Sequence, residues 1–542
     1  MWAVLIGLDL FYLSFLLLLA ILIGLVKRRL FQIPLWFLLI FMTAIYLVDS
    51  FVLLALDAHA DLFDIGRYGL EDGVVLSFFD SAAYTAIAFL LLSLFLFIDF
   101  TARFKKLSTM LLVFTLLTGV LSGVYTNEPW ARYSMLSPTA VIESMGPQPV
   151  VSDYSVEQIA FYANLHREKS VVPVTRPNII LVIVESLSSI NSDKTSGVGD
   201  LLGGFDDLAR EGLLFRNFFA NHQASEGGVI ALLGGYPPIH YPTATPYMFD
   251  EFASQPSVIG EYRQNGYFTE FLTNSDLGFI GLNHFLDGLG LDLSRGRDEF
   301  ANLRDAPRVV QDAPADDLLY GEALALLLEH SNTHSPYLLV LATTSTHLPY
   351  THPEGGADTA AAVWDWSLQR LTEFYQALEI SGYFEHGILL ITGDHRQMRR
   401  LTKLETERYG GSARARVPLL VIGSDYPHDS IDDRFFQQSD LLGMLDRIKQ
   451  PEALLSPHPI WVERYNRKFG RIELIDNLSV FDQADDGRHE YRLGISGNHI
   501  DWMGDKPDFA GEIELQIHRQ RSQHQKLRMD SKMLTGRSHL PR

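Results

Sequence analysis

The sequence contains no cysteine, and this absence excludes several classes of site. The chain cannot form a disulfide scaffold, an iron–sulfur cluster, a zinc–cysteine site or a thiol nucleophile. Charged side chains are few, at 20% of residues, and unbalanced, with 44 basic against 65 acidic residues and a formal net charge of −21. This acidic balance argues against nucleic acid as the main partner. The lack of cysteine does not identify a compartment, because a domain that buries a large core needs no disulfide bridges.

Low-complexity blocks and internal repeats are also absent, whereas long apolar runs are abundant before residue 126. Four of these runs have the length of about 20 residues that a membrane-spanning helix needs. They cover Trp2–Val26, Pro34–Leu56, Val74–Ile98 and Leu107–Tyr125. The first run is too long for a signal peptide and has no basic residue before it. Residues 1–125 are therefore predicted to be a helical membrane anchor.

The short loops between these runs predict the orientation of the anchor. Residues 27–29 and 103–106 carry the basic side chains, whereas the loop between the second and third runs is acidic. Because basic loops stay in the cytoplasm, everything after residue 125 is expected to be extracytoplasmic, as in a multi-pass protein of a bacterial cytoplasmic membrane. Asp9 and Asp49 fall inside predicted spans, where an acid is a functional candidate. The alternative is that both acids lie near the outer interface or bond to a neighbouring helix.

Three further segments follow the anchor. Residues 126–176 are predicted to be a connector, in which Ser155–Lys169 has the spacing of an amphipathic helix that lies on the membrane or packs against the domain. Residues 177–518 are predicted to be an extracytoplasmic domain. The tail over residues 519–542 has seven basic residues and one acid, and is expected to be loose.

After residue 177 the pattern changes to short apolar runs that alternate with helical stretches. The runs are Ile179–Val184, Phe268–Leu272, Tyr337–Ala342, Ile388–Ile391 and Val417–Ile422. Nearly continuous apolar runs of this length are typical of strands buried on both faces. The sequence therefore predicts an α/β domain with a mostly parallel central sheet.

Polar side chains follow three of these runs. Glu185 comes directly after the first, Asp394 and His395 follow Ile388–Ile391, and His347 lies a few residues beyond Tyr337–Ala342. Taken singly, Glu185 is explained as a helix N-terminal charge and His347 as a loop residue. Because ligands bind beyond the carboxyl ends of parallel strands, the coincidence of three strand ends favours a metal site.

A fourth element is the turn before the apolar helical stretch Val229–Leu233. It places Ser225 at a helix N-terminus, followed by Glu226 and two glycines. Free backbone N–H groups there favour an anion, which suits a serine that attacks phosphorus. The alternative is that Ser225 only caps the helix, and the local sequence by itself favours this reading.

Several motifs resemble those of lipoteichoic acid synthase and its relatives, which include the periplasmic glucan phosphoglycerol transferases of the sulfatase and alkaline phosphatase superfamily. The similar segments are Pro177–Ser186, the turn around Ser225 that ends in Gly235–Pro238, Thr392–His395, Arg416–Gly423 and a helix predicted at Asp440–Leu445. The resemblance covers approximately residues 175–450.

The resemblance implies that Glu185, Asp394, His395 and Ser225 hold one divalent cation and that Ser225 is the nucleophile. His347 would contact the phosphate or the leaving oxygen. The donor set of three oxygens and one nitrogen suits manganese first, with magnesium and zinc as alternatives. The implied activity is transfer of a phospho-headgroup, phosphoglycerol first, from the membrane lipid phosphatidylglycerol to an envelope glycan or lipid through a phosphoserine ester. Alternatives are a metal-dependent phosphodiesterase, a phosphoethanolamine transferase, and a catalytically silent regulator that binds lipid.

The sequence also departs from its relatives. The nucleophile of the resembled family is usually threonine rather than serine. Sulfatases need a proline two residues after the modified side chain, and here that position is Gly227. The cysteine bridges of phosphoethanolamine transferases are absent, and no arginine lies in Asn274–His284, where the synthase holds glycerophosphate. Arg396, Arg399 and Arg400 are either substitutes for that arginine or solvated side chains.

Overall fold

The computed structural model describes residues 172–239, 248–253, 255–330, 335–399, 401–453, 455–456, 460–463, 478–481, 489–496, 499–502 and 504–537, with short pieces before residue 160. The chain divides into two compact units, Met1–Pro149 with Arg467–Glu473, and Val150–Asn466 with Leu474–Arg542. Most of the four predicted spans, Asp9, Asp49 and nearly all of the connector lie outside the described residues. Among the described residues, no helix is both long and apolar enough to span a membrane.

The central sheet of the second unit has nine strands, and it contains all five apolar runs predicted from the sequence. The strands are β1 (Asn178–Val184), β2 (Leu213–Phe219), β3 (Phe268–Thr273), β4 (Leu293–Arg295), β5 (Tyr337–Ala342), β6 (Gly387–Gly393), β7 (Arg416–Ile422), β8 (Ser430–Asp432) and β9 (Phe436–Gln437). Their order is β4-β3-β5-β1-β6-β7-β2-β8, with β9 paired to β2.

Most neighbouring strands are parallel, which confirms the predicted fold class. β7 is the exception, because it is antiparallel to both β6 and β2. The run Val417–Ile422 was therefore correctly predicted as a strand but not as a member of the parallel set. An apolar run that is buried on both faces does not indicate its own direction.

The core lies on both faces of this sheet, as alternate side chains of one strand show. Ile179, Leu181 and Ile183 of β1 join the apolar cluster on one face, and Ile180 and Val182 join the cluster on the other. All five are at most 2% exposed. Because side chains alternate along a strand, a continuous apolar run is needed to fill both layers.

The α-helices that follow the first strand begin with α1 (Gly203–Leu208) and α2 (Ser225–Gly234). They continue with α3 (Met248–Phe252), α4 (Val258–Gln264), α5 (Leu282–Leu289), α6 (Ala301–Arg304), α7 (Asp316–His330), α8 (Ala360–Ile380), α9 (Lys403–Tyr409), α10 (Leu445–Ile448) and α11 (Ala510–Arg537). The predicted helix at Asp440–Leu445 is wrong, because residues 441–443 form a turn between a short 3-10 segment and α10.

A second, antiparallel sheet contains β10 (Ile460–Glu463), β11 (Leu478–Phe481), β12 (Glu490–Ser496) and β13 (His499–Trp502). The expectation of a loose tail from residue 519 is wrong as far as Arg537, because these residues continue α11. Arg521, Ser522, His524 and Gln525 are buried within that helix. The basic composition of this segment suggested solvation, but these four polar side chains are buried.

Candidate metal centre and nucleophile

The sheet register brings the predicted ligands together. Val184 of β1 pairs with Gly393 of β6, so the residues that follow these strands emerge side by side. Ligand atoms of Glu185, Asp394 and His395 all lie within 4.8 Å of one another, and the three side chains are buried. The predicted cluster at the carboxyl ends of the strands is therefore present.

Backbone and side-chain donors fix the two carboxylates. Asp394 Oδ1 accepts hydrogen bonds from the backbone N–H of Ser186 at 2.9 Å and of His395 at 2.7 Å. Glu185 Oε1 accepts from Ser186 Oγ at 2.7 Å. Burial raises the pKa of Asp394 to about 6, and the nearby Glu185 carboxylate adds to this rise. Two buried carboxylates in contact disfavour each other's charge, so a bound cation would stabilise both.

The imidazole of His395 is oriented by a backbone carbonyl. Its Nδ1 lies 2.7 Å from the carbonyl oxygen of Arg396, so Nδ1 carries the proton and donates it. In the neutral ring, Nε2 then has a free lone pair, 3.6 Å from Glu185 Oε1 and 3.4 Å from Asp394 Oδ2. Burial favours the neutral ring, but the carboxylates of Asp394 and Glu185 outweigh it and raise the pKa of His395.

These side chains fit one divalent metal ion. Among the described residues, the ion-pair partner of Glu185 and Asp394 is His395. A metal ion would take the place of the proton that Nε2 of the charged ring carries. The adjacent Arg396 does not serve, because its Nε and Nη2 bind Glu405 Oε1 at 3.1 Å and 2.6 Å. Two carboxylates and an imidazole with a fixed outer N–H are a common set of metal ligands.

Ser225 points into this cluster rather than capping its helix. The N-cap of α2 is Ala224, no side chain caps that end, and Ser225 is the first helical residue. Its Oγ lies 3.1 Å from His395 Nε2 and 3.3 Å from Glu185 Oε2. The capping alternative is therefore wrong, and the hydroxyl completes a set of four donors.

Two glycines let this helix approach the strand end. A Cβ at position 228 would lie 2.0 Å from the backbone oxygen of Asp394, and a Cβ at position 227 would lie 2.1 Å from the ring of His222. Any larger residue at either position would push the Ser225 turn away from the ligands.

His347 lies on the loop after β5, which is fastened to Glu185. Thr346 Oγ1 donates to the Glu185 carbonyl at 2.6 Å, and the Glu185 N–H donates to Thr343 Oγ1 at 3.3 Å. Burial lowers the pKa of His347 to about 4, and the charge of His395 contributes to that fall, so the ring is neutral at pH 7. The structure thus places His347 beside the cluster without making it a ligand.

The candidate arginines differ in availability. Arg396 is buried and engaged by Glu405, and its Nη1 also donates to the carbonyl of Gln397 at 2.7 Å. Arg399 is exposed, with its guanidinium over the ring of Tyr350. Arg400 lies outside the described residues.

Two site residues were not predicted from the sequence. Ser186 bonds both carboxylates and has a positive φ of 58°. Gln438 Nε2 donates to the carbonyls of Gly393 and Asp394 at 2.8 Å and 2.7 Å, and its Oε1 accepts from the N–H of Asn221 at 3.1 Å. Ser186 had a signal, since it follows Glu185 in the quoted motif, but Gln438 comes from a remote segment with no such mark.

Part of the chain matches a known protein family. Residues 177–445 match the protein family described as Sulfatase. The matched segment contains most of the α/β fold with its mostly parallel central sheet, and sulfatases are typically metal-dependent enzymes. Glu185, Ser225, His347, Asp394 and His395 all lie within it. The broader part of the predicted resemblance is thereby confirmed.

Several solved structures are similar to this chain at low sequence identity. A protein of the alkaline phosphatase superfamily from Vibrio parahaemolyticus is 18% identical, with 70% of this chain and 98% of that chain covered and a TM-score of 0.49. The lipoteichoic acid synthase LtaP from Listeria monocytogenes is 14% identical, with coverage of 72% and 99% and a TM-score of 0.48. The PsFucS1 sulfatase from Pseudoalteromonas sp. is 13% identical, with coverage of 67% and 89% and a TM-score of 0.39.

Proposed function

We propose that the protein is a membrane-anchored, metal-dependent transferase that moves the phospho-headgroup of phosphatidylglycerol to a hydroxyl of an envelope glycan or lipid. The observation that carries the proposal is the position of Ser225. Ser225 is half-buried, and Ala224 rather than Ser225 occupies the N-cap position of α2. The Ser225 hydroxyl lies within 3.3 Å of two side chains of the metal cluster. A hydroxyl so placed is suited to act as an activated nucleophile.

The proposed reaction has two displacements at phosphorus. Ser225 Oγ attacks the lipid phosphorus, the bond from phosphorus to the diacylglycerol oxygen breaks, and diacylglycerol leaves with a proton. The acceptor hydroxyl then attacks the phosphoserine ester, the bond from phosphorus to Ser225 Oγ breaks, and the serine regains a proton. A divalent cation held by Glu185, Asp394, His395 and Ser225 would lower the pKa of the serine hydroxyl and offset phosphate charge. His347 would contact the phosphate or the leaving oxygen.

The turn after Ser225 supports phosphate rather than sulfate chemistry. Conversion of a serine to formylglycine requires proline two residues later, and that position is Gly227. A Cβ there would lie 2.1 Å from the His222 ring, so this turn has no room for proline. Ser225 is therefore expected to act as an unmodified hydroxyl.

The intact cluster argues against a silent, lipid-binding role. Burial of two carboxylates is unfavourable unless they are paired or bind a cation, and a binding module needs no such cluster. The membrane anchor at residues 1–125 and the extracytoplasmic location belong to the same proposal, because they would hold the site next to its lipid donor and raise the effective concentration.

The decisive experiment incubates the purified full-length protein and Mn²⁺ with phosphatidylglycerol that is labelled separately in its headgroup and its acyl chains. We expect diacylglycerol together with headgroup label on the protein, lost in Ser225→Ala and retained in Gln369→Leu, a change on the exposed face of α8. Free glycerol phosphate without labelled protein would indicate a phosphodiesterase. Turnover of phosphatidylethanolamine instead would reassign the headgroup, and lipid binding without turnover would indicate a regulator.

A further inference from the structure

The turn between α6 and α7 has a strained backbone. Gln311 and Asp312 are consecutive residues with positive φ, 47° and 57°, and the turn is closed by a hydrogen bond of 2.9 Å from the Ala313 N–H to the Val310 carbonyl. Turns with two such residues are normally built from glycine, asparagine or aspartate. Left-handed backbone at residues with a Cβ persists where surrounding contacts hold it, and it is concentrated at functional sites.

A buried arginine holds the second residue of this turn. Arg297 is 8% exposed, and its Nη1 donates to the Asp312 carbonyl at 2.6 Å and to the Asp312 carboxylate at 2.5 Å. A charge-assisted pair of this kind fixes the turn in its strained form.

The turn also shares an anchor with the loop that carries His347. Asn274 Nδ2 donates to the Pro314 carbonyl at 2.7 Å and to Asp316 Oδ1 at 2.8 Å. The same Asp316 oxygen accepts the N–H groups of Thr344 at 2.9 Å and Ser345 at 3.1 Å. The turn and the loop are therefore held in fixed relation to each other.

The result of this arrangement is a contact between an amide and an imidazole. Gln311 Nε2 lies 2.9 Å from His347 Nε2. On the other side of the ring, Nδ1 hydrogen-bonds to the Leu348 carbonyl, which can only accept, so Nδ1 carries the proton of the neutral ring. Nε2 is then the acceptor, and the Gln311 amide donates to it.

We propose that Gln311 is a positioning residue for His347, held in a strained turn so that its amide fixes the rotation and tautomer of the ring. The inference rests on the proposed function, since it takes His347 as the group that contacts the reacting phosphate or leaving oxygen. An amide is suited to this position because, after a half-turn of its side chain, its oxygen can accept a proton carried by Nε2. Gln311 can thus support both protonation states of the ring.

The first test measures the ring itself, independently of lipid turnover. The pKa of His347 is read from the pH dependence of hydrogen exchange at its Cε1, followed by mass spectrometry on the full-length protein. Gln311→Glu places a carboxylate against Nε2, so we expect the pKa of His347 to rise by at least 1 unit. The matched control Gln369→Glu should leave it unchanged. An unmoved pKa in Gln311→Glu would overturn the contact and the proposal.

The second test separates positioning from a merely structural role. Gln311→Gly relieves the positive φ but removes the amide, so the unfolding temperature should rise by about 2 °C while turnover falls about tenfold. Turnover is measured on bis(4-nitrophenyl) phosphate with Mn²⁺, and we expect kcat rather than KM to change, with metal content unaltered. Full turnover in Gln311→Gly would exclude a positioning role. If the wild-type protein does not turn over phosphatidylglycerol while Gln311→Glu still raises the pKa of His347, the proposed function is refuted and the contact of Gln311 with His347 is not.

Discussion

Ser225 lies at the start of a helix but makes no capping hydrogen bond, and this absence helps to assign its role. At a helix N-terminus a serine usually accepts a backbone N–H, yet Ala224 occupies the N-cap position and the Ser225 hydroxyl faces His395 and Glu185. No cap is lost on removing this hydroxyl. The two roles therefore predict different defects.

Ser225→Ala should change the free energy of unfolding by less than about 0.5 kcal/mol, because the side chain is only half-buried and its hydroxyl caps no helix. Transfer from phosphatidylglycerol should fall about a thousandfold or more, since the covalent route is lost. Ser225→Thr supplies the same hydroxyl and should keep appreciable activity. Loss of about 1 kcal/mol of stability in Ser225→Ala with normal turnover would instead restore the capping role.

The Asp394 carboxyl gives the metal-free protein a pH dependence of defined sign. Its pKa is raised by burial and by Glu185 to about 6, above the ordinary value of 3.8. Metal-free protein therefore binds an extra proton when folded, and this stabilisation is complete below pH 4 and lost as the pH rises through 6. We expect the free energy of unfolding without metal to be about 2 kcal/mol higher at pH 4 than at pH 7 from this group.

Mn²⁺ should reverse this trend, because it competes with the proton and binds more tightly above pH 6. Denaturant titrations at several pH values, with and without Mn²⁺, check both slopes. Asp394→Asn should flatten the metal-free slope and lose stoichiometric metal. Retention of one metal per chain in that variant would contradict the assigned ligand set.

The approach of helix α2 to strand end β6 makes a prediction about two glycines. Gly228→Ala would place a Cβ 2.0 Å from the Asp394 backbone oxygen, so the helix or the strand end must shift. We expect a loss of about 2 kcal/mol in stability and weaker Mn²⁺ binding, by analogy with overpacked cores. Equilibrium unfolding and metal titration measure the two effects.

The matched control is Gly321→Ala in the middle of helix α7, where an added Cβ meets nothing within 4 Å. This change should stabilise the protein by about 0.5–1 kcal/mol, because alanine loses less entropy than glycine in a helix. If both variants behave alike, the close approach at Gly228 does not constrain the site.

Sequence patterns predict these elements to different degrees. Continuous apolar runs located β1, β3, β5, β6 and β7, because strands buried on both faces need apolar side chains at every position. The direction of β7 was not predictable, since it depends on how the chain returns to the sheet. The helix over residues 519–537 was missed because its basic composition says nothing of which polar side chains are buried.

The same distinction applies to the site. Glu185, Asp394 and His395 were predicted because they follow strands that meet at one sheet edge, a consequence of chain topology. Gln438 and Gln311 were not, because each reaches the site from a segment whose position depends on tertiary packing. Gln438 hydrogen-bonds to the backbone carbonyl of Asp394, and Gln311 hydrogen-bonds to the ring of His347. Neither contact leaves a periodic signal in the sequence.

For the chain as a whole, the distribution of basic loops predicts that the catalytic domain faces out of the cytoplasm. Residues 27–29 and 103–106 carry the positive charges between the predicted spans, and such loops remain cytoplasmic. A green fluorescent reporter that is active only in the cytoplasm should therefore be silent when fused after Arg542, whereas an alkaline phosphatase reporter at the same position should be active. The reverse is expected for fusions after Lys106, which serve as the internal control. Fluorescence from the Arg542 fusion would overturn the predicted topology. The site would then face the cytoplasm and could not reach a lipid donor on the outer side of the membrane, even if Ser225 is a nucleophile.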